Sequence, residues 1–232
     1  MPDSSLSEAS CTLDAEESRH ARKVLRMDAG DRCELFDGRG AVADAELAGF
    51  LQGLAHCRVL DQRRIEPARP RLTVATAVPK GPRAEDMVNQ LGQLGVDVWV
   101  PVRSARSVVE PGAGKRARYE RAALASAKQS GRATVMEVAE TADLDEVLAQ
   151  PADVKLILDP GGDAGPGLGL PGRLTAAGSA ALLIGPEGGW SDAELVAAET
   201  AGYARWKIGG HVLRIETAAV AAAAIARQMT VI

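Results

Sequence analysis

The period of the apolar positions changes part-way along the chain. Between residues 31 and 60 the runs are short and mixed: CELFDG, AVADAELAGF and LAHCRVL. Asp37-Gly38, between two of these runs, is a hairpin-turn dipeptide. The pattern predicts a small β-rich unit, preceded by a helix containing residues 16–26. From residue 72 onward, strand-like runs alternate with helical spacing. Residues 72–78 (LTVATAV) read as a buried strand. Pro82 then opens a helix in which Ala84, Met87, Val88, Leu91 and Leu94 recur at helical spacing, and Gly95 closes it. Further strands are expected over 96–102, 154–158, 181–184 and around 206–208, with a basic helix over 115–130. Ser191-x-x-Glu194 is a capping box that starts a helix over 191–201. The last helix, from Ile215, carries Ile215, Ala218, Ala219, Ala222, Ile225, Ala226 and Met229 on one face. Strands alternating with helices predict an α/β fold with a mostly parallel sheet, and a ligand at the carboxyl ends of its strands.

Residues 63–71 (RRIEPARPR) hold two prolines and four arginines, which do not suit a helix or a central strand. This segment is the expected boundary between a first domain, 1–68, and a second, 72–232. Residues 161–172 (GGDAGPGLGLPG) read as a flexible connection.

Composition narrows the function classes. The 232 residues are 46% hydrophobic and 25% charged, enough for a buried core without metals or disulfides. The longest apolar run, 218–226, is too short to span a bilayer, so no membrane partner is expected. The acidic N-terminus has no apolar leader, which predicts a cytoplasmic protein. Cys11, Cys33 and Cys57 form no CxxC pair and are read as reduced thiols; no metal site is expected. The net charge is −4, but its distribution is uneven: −2 over residues 1–72, +5 over 73–135 and −7 over 136–232. An acidic protein with one basic segment does not coat nucleic acid indiscriminately, yet it can attract phosphates locally. Aromatic residues make up only 3%, which argues against extensive base stacking.

Gly167-x-Gly169-x-x-Gly172 matches a dinucleotide fingerprint in letters only, with no strand leading into it and Pro171 inside it. A nicotinamide oxidoreductase is therefore disfavoured. Gly114-Lys115 is no phosphate loop, because Val109 stands where the earlier glycine is needed and Arg116 replaces the Ser or Thr. Gly185-Pro186-Glu187-Gly188-Gly189 is more informative. It joins an apolar strand to a capped helix, where glycines let a ligand approach backbone and a helix start offers free N–H groups. The segment GGHVLRIETA, residues 209–218, repeats the arrangement, with Arg214 and Glu216 flanking the last helix start; an Arg214–Glu216 ion pair is the plain alternative there.

GPEGGWSDAE together with GGHVLRIETA resembles the C-terminal half of the ribosomal RNA small subunit methyltransferase E family, in the SPOUT superfamily. Residues 20–26 with Phe36-Asp37-Gly38, residues 80–96 with Pro101 and Arg106-Ser107, and Gln129-Ser130-x-Arg132 resemble further blocks of that family. Gln93 and Lys128 depart from its usual acidic residues. The resemblance implies a small PUA-like β-barrel followed by a parallel sheet with a deep trefoil knot. It implies a homodimer that uses S-adenosyl-L-methionine to methylate N3 of one uridine in 16S rRNA, with the 30S ribosomal subunit as the form of the substrate.

On this reading Leu158, Ile184, Gly185, Pro186, Glu187, Gly188, Gly189, Ile208, Gly209, Val212, Leu213, Thr217 and Ala218 would hold the cofactor. Arg106, Glu187, Arg214 and Glu216 would serve catalysis. His20, Arg22, Arg26, Arg83, Arg106 and Arg132 would contact RNA. An imide nitrogen attacks only as its proton leaves, so a base is needed. Glu187 and Glu216 are both candidates, and sequence does not choose between them. A related enzyme with another RNA target, and a ribosome-assembly protein without catalysis, are the alternatives.

Overall fold

A computed structural model describes residues 6, 8–108, 113–164 and 168–230. Its contacts divide the chain into two units, one of residues 1–67 with 131–135, the other of residues 68–130 with 136–232.

In the first unit, β1 (Ser10–Thr12), β2 (Arg32–Phe36), β3 (Ala41–Leu51) and β4 (Leu54–Arg64) form an antiparallel sheet in the order β1-β4-β3-β2. The Asp37-Gly38 turn joins β2 to β3. Asp37 Oδ1 accepts hydrogen bonds from the Arg39 and Ala41 N–H groups, at 2.7 and 3.0 Å, which closes the turn with a side chain. Helix α1 (Ala15–Lys23) is capped by Asp14, which accepts from Glu17 N–H. It ends three residues before the expected Arg26. Arg26 takes a left-handed conformation (φ 55°), and Met27 N–H returns to the Ala21 carbonyl.

The arginine-rich segment is a correction. β4 runs through Arg63 and Arg64, because Arg63 finds carboxylates across the sheet, Asp44 on the adjacent β3 and Glu34 on β2 beyond it. Only 65–70 is left between strands. The three cysteines, far apart in sequence, converge in this unit's core: Cys11 and Cys57 are direct cross-strand partners, and Cys33 packs beside them. All three are free.

The second unit is built on β5 (Arg71–Thr76), β6 (Val98–Arg103), β7 (Glu137–Val138), β9 (Val154–Ala164), β10 (Ser179–Ile184) and β11 (Ala204–Lys207), in the order β11-β9-β10-β5-β6-β7. Every pairing is parallel, including that of β8 (Ala142–Asp143) with β6. Leu182 and Leu183 are successive residues of β10 and both are fully buried, so the sheet is covered on both faces. One face packs against α4 (Leu144–Leu148) and α6 (Asp192–Thr200) through Leu144, Val147, Leu148, Ala198 and Trp190. α7 (Ile215–Gln228) lies against β5, β10 and α2 (Arg83–Gln93), and α2 in turn packs on α3 (Ala113–Ser130).

The region 161–172 is a second correction. Residues 161–164 continue β9, and a short helix α5 (Leu170–Ala176) starts with Pro171 in its first turn. Proline supplies the preset φ of a helix start, so composition alone misread it as a loop. Gly167 of the fingerprint-like run lies outside the described residues.

Candidate active site

In the second unit β10 and β11 flank β9, and each hands its chain to a loop. β10 runs out at Ile184 into Gly185-Pro186-Glu187-Gly188-Gly189-Trp190, before α6 begins. Trp190 folds back over Gly185, where a Cβ would lie 2.7 Å from the indole Cε2; the position has room only for glycine. The buried Trp190 Nε1 donates to the Leu158 carbonyl at 3.1 Å, which ties this loop to β9. Ser191 and Glu194 form the predicted capping box at the start of α6. Burial alone would raise the Glu194 carboxyl. The Ser191 and Ala105 N–H groups, the Ser191 hydroxyl and the Arg106 charge outweigh that and hold it below its ordinary value of 4.5.

β9 and β11 pair in two stretches, Leu156 and Ile157 with Ala204 and Arg205, then Asp163 and Ala164 with Trp206 and Lys207. Residues 158–162 bulge out between them. Asp159 on this bulge accepts from Arg205 Nε at 2.8 Å and Nη2 at 2.5 Å. This pairing raises the Arg205 guanidinium above its ordinary range. After β11 the chain passes through Ile208–Arg214, and Arg214 occupies the N-cap position of α7.

The loops enclose a cavity of about 280 Å3. Leu158, Ile184, Gly185, Pro186, Glu187, Gly189, Ile208, Gly209, Val212, Leu213 and Ala218, all read above as cofactor residues, line it. Gly188 and Thr217 do not. Asp159, Pro160, Trp206 and Lys207 line it from outside the segments singled out above, while Trp190, Gly210, His211 and Ile215 line it from within them. Asp159 and Pro160 had a readable signal, since they follow directly after an apolar parallel strand. Trp190 lay inside the quoted GPEGGWSDAE motif, but only folding brings its ring, and that of Trp206, to the cavity.

Of the catalytic candidates, Glu187 is exposed on the cavity lining. Arg106 sits behind the loop: its Nη1 donates to the carbonyls of Gly188 at 2.8 Å and Trp190 at 3.2 Å. Glu216 is not on the lining. It does not pair with Arg214, the plain alternative considered above. Glu216 Oε1 accepts from Arg83 Nη1 at 3.3 Å, and Oε2 is buried without a hydrogen-bond partner among the described residues. The pair forms because α2 lies beside the first turn of α7, a proximity that sequence spacing does not show. Arg83 is thus engaged by a carboxylate, and Arg214 is exposed. His20, Arg22 and Arg26 are exposed in the first unit, Arg22 over the Phe50 ring at 5.2 Å; Arg132, also in that unit, donates to Thr134 Oγ1 at 3.2 Å. Among the described residues, no group of three or more His, Cys, Asp or Glu side chains is placed to hold a metal ion. No helix among them is long and apolar enough to cross a membrane.

A family model described as an RNA methyltransferase domain matches residues 66–227, and one described as an RNA methyltransferase PUA domain matches residues 13–49. A ribosomal RNA small subunit methyltransferase E from Mycobacterium bovis is 33% identical over 227 residues, covering 92% of this chain and 84% of the relative. The chain belongs to the ribosomal RNA small subunit methyltransferase E family. A ribosomal RNA small subunit methyltransferase E from Synechocystis is 30% identical over 227 residues, covering 94% of this chain and 72% of the relative. A crystal structure of a ribosomal RNA small subunit methyltransferase E from Neisseria gonorrhoeae, bound to S-adenosyl methionine, superposes with a TM-score of 0.87 at 27% identity, covering 99% of this chain and 95% of that one. The cavity loops of this family member all lie inside the matched RNA methyltransferase domain.

Proposed function

We propose that this protein transfers a methyl group from S-adenosyl-L-methionine to N3 of one uridine in 16S rRNA, within the 30S subunit. The observation that carries the reading is the cavity between the 184–189 and 207–213 loops, at the carboxyl ends of parallel strands in a methyltransferase domain. Its lining suits that cofactor. Leu158, Ile184, Ile208, Val212 and Leu213 supply apolar surface for an adenine ring and an aliphatic chain. Asp159 and Glu187 offer carboxylates to a sulfonium and an ammonium, and Lys207 offers a cation to a carboxylate.

The bound cofactor supplies an already activated methyl group. The chain's own residues then have two tasks. They hold the uracil ring in line, which is a positioning task. They also accept the N3 proton, for which Glu187 is the favoured group because it lies on the cavity while Glu216 does not. In this reading residues 1–68 form the PUA-like RNA-binding domain and 72–232 the catalytic domain, with the trefoil knot of the SPOUT superfamily. His20, Arg22, Arg26 and Arg132 contact RNA, and the enzyme works as a cytoplasmic homodimer without a metal.

The test is methyl transfer from labelled S-adenosylmethionine, followed by nucleoside mass spectrometry. The substrates are 30S particles from cells lacking the endogenous enzyme, and naked 16S RNA. 3-Methyluridine, formed faster on particles, is the expected product. Cofactor binding without transfer would point to another RNA target, and no binding to a non-catalytic ribosome-associated protein.

A further inference from the structure

The loop that carries Glu187 does not stand by itself. β6 ends at Arg103, and the next four residues form a turn closed on itself. Ser104 N–H donates to Ser107 Oγ at 3.0 Å, the two hydroxyls are 2.9 Å apart, and Ser107 N–H donates to the Ser104 carbonyl at 3.0 Å. This turn is tied twice to the segment after β10. Glu194 divides its two oxygens: Oε2 accepts from Ser191 N–H and hydroxyl at 2.7 and 2.8 Å, while Oε1 reaches out to Ala105 N–H at 2.9 Å. Arg106 supplies the second tie through Nη1, shared between the Gly188 and Trp190 carbonyls. Its aliphatic stem closes over Gly188, where an added Cβ would come within 3.3 Å of Arg106 Cβ. Only one nitrogen of the guanidinium is used; Nε and Nη2 carry no hydrogen bond among the described residues, and the residue is exposed.

We propose that Arg106 is a positioning residue: one edge of its guanidinium braces the Gly185–Trp190 loop, with Glu194 holding the turn it projects from, and the free edge takes a phosphate of the RNA. Docking of RNA is thereby felt at the loop that lines the cavity. A guanidinium suits this double task because its donors are fixed in one plane and point in separate directions. The inference rests on the methyltransferase reading for its ligands, but the brace itself is visible without any ligand.

The test compares the parent with Arg106→Ala, Arg106→Lys and Glu194→Gln, all as full-length protein with thermal melts to confirm folding. Amide hydrogen exchange of residues 185–190 is read without ligand, S-adenosylmethionine affinity by calorimetry, and KM and kcat on 30S particles. Arg106→Ala is expected to speed exchange in the loop, weaken the cofactor about tenfold and raise KM for particles about tenfold. Arg106→Lys keeps one nitrogen for the two carbonyls, so exchange and cofactor affinity stay near the parent while KM for particles still rises. Glu194→Gln is expected to speed loop exchange, because one oxygen must now serve two tasks. Unchanged exchange in Arg106→Ala overturns the brace. Cofactor loss in Arg106→Lys equal to that in Arg106→Ala overturns the single-nitrogen account, and an unchanged particle KM in Arg106→Lys overturns the phosphate contact. A parent that binds no S-adenosylmethionine defeats the methyltransferase reading instead, and the exchange arm still decides the brace.

Discussion

Single side chains in this protein take their roles from what surrounds them, and the two glutamates considered as bases show it. Both follow a glycine-bearing strand end. One is exposed on the cavity; the other is drawn against Arg83 at the start of α7. Glu187→Gln is therefore expected to lower kcat by about a hundredfold, the loss typical of a removed proton acceptor, and to weaken the cofactor to the extent that the carboxylate also faces its positive charge. Equal kcat in single-turnover methyl transfer would remove Glu187 from the mechanism. Glu194 makes a prediction about pH. Its carboxyl is depressed below 4.5 in the folded state, so its stabilisation is present above that value and lost as pH falls through the folded-state pKa. The melting-temperature gap between the parent and Glu194→Gln is expected to be open near neutrality and to close below about pH 4.5. A gap independent of pH would show that the hydrogen bonds owe nothing to the charge.

Among the elements, the helical spacing of α2 was legible, and four of its five predicted apolar positions (Ala84, Met87, Val88 and Leu91) are buried. What the spacing does not show is how close α3 comes. Ser126 is buried, its hydroxyl donates to the Ala123 carbonyl at 2.7 Å, and a Cβ at Gly92 would fall 2.0 Å from that hydroxyl oxygen. Gly92→Ala is expected to destabilise by about 1–3 kcal/mol, as overpacking does, measured by urea unfolding. Adding Ser126→Gly should recover part of the loss; full additivity of the two changes would mean the helices are not in contact there. The β9 bulge is a similar case. VKLIL reads as a strand, but that the strand resumes at Asp163 after an excursion depends on Arg205 and Trp206 of a strand some 45 residues away in sequence.

At the level of the whole molecule, distant segments are joined by a few polar hubs. Arg227, near the end of α7, donates to the carbonyls of Pro70 and Gly95 and to Asp97 Oδ2, which also accepts from Leu72 N–H at 2.8 Å. The last helix is thereby fastened to the entrances of β5 and β6. The Arg227 and Asp97 side chains are only 12% and 16% exposed, so losing one partner leaves a poorly solvated charge. Arg227→Ala is expected to cost about 3 kcal/mol of stability, read as a lowered melting temperature and urea midpoint. A change of less than about 0.5 kcal/mol would place the hub among ordinary surface pairs.

By itself the sequence determined the alternation of the main strands and helices from residue 72 onward, the parallel sheet, the capping box at Ser191 and the two glycine-bearing loops, but not α4 or α5. These are local properties: apolar period, turn chemistry and caps act over a few residues, and each leaves its mark where it acts. It also determined the family, through motifs whose backbone geometry tolerates few other residues. Only the tertiary structure decided that Trp190 and Trp206 wall the cavity, that Asp159 is offered to it on a bulge, that Arg106 stands behind the loop, and that Glu216 answers to Arg83. Each of these depends on contacts between residues dozens to more than a hundred positions apart. Such contacts are set by how strands align and helices pack, and a pattern read along the chain carries no measure of the distance across it.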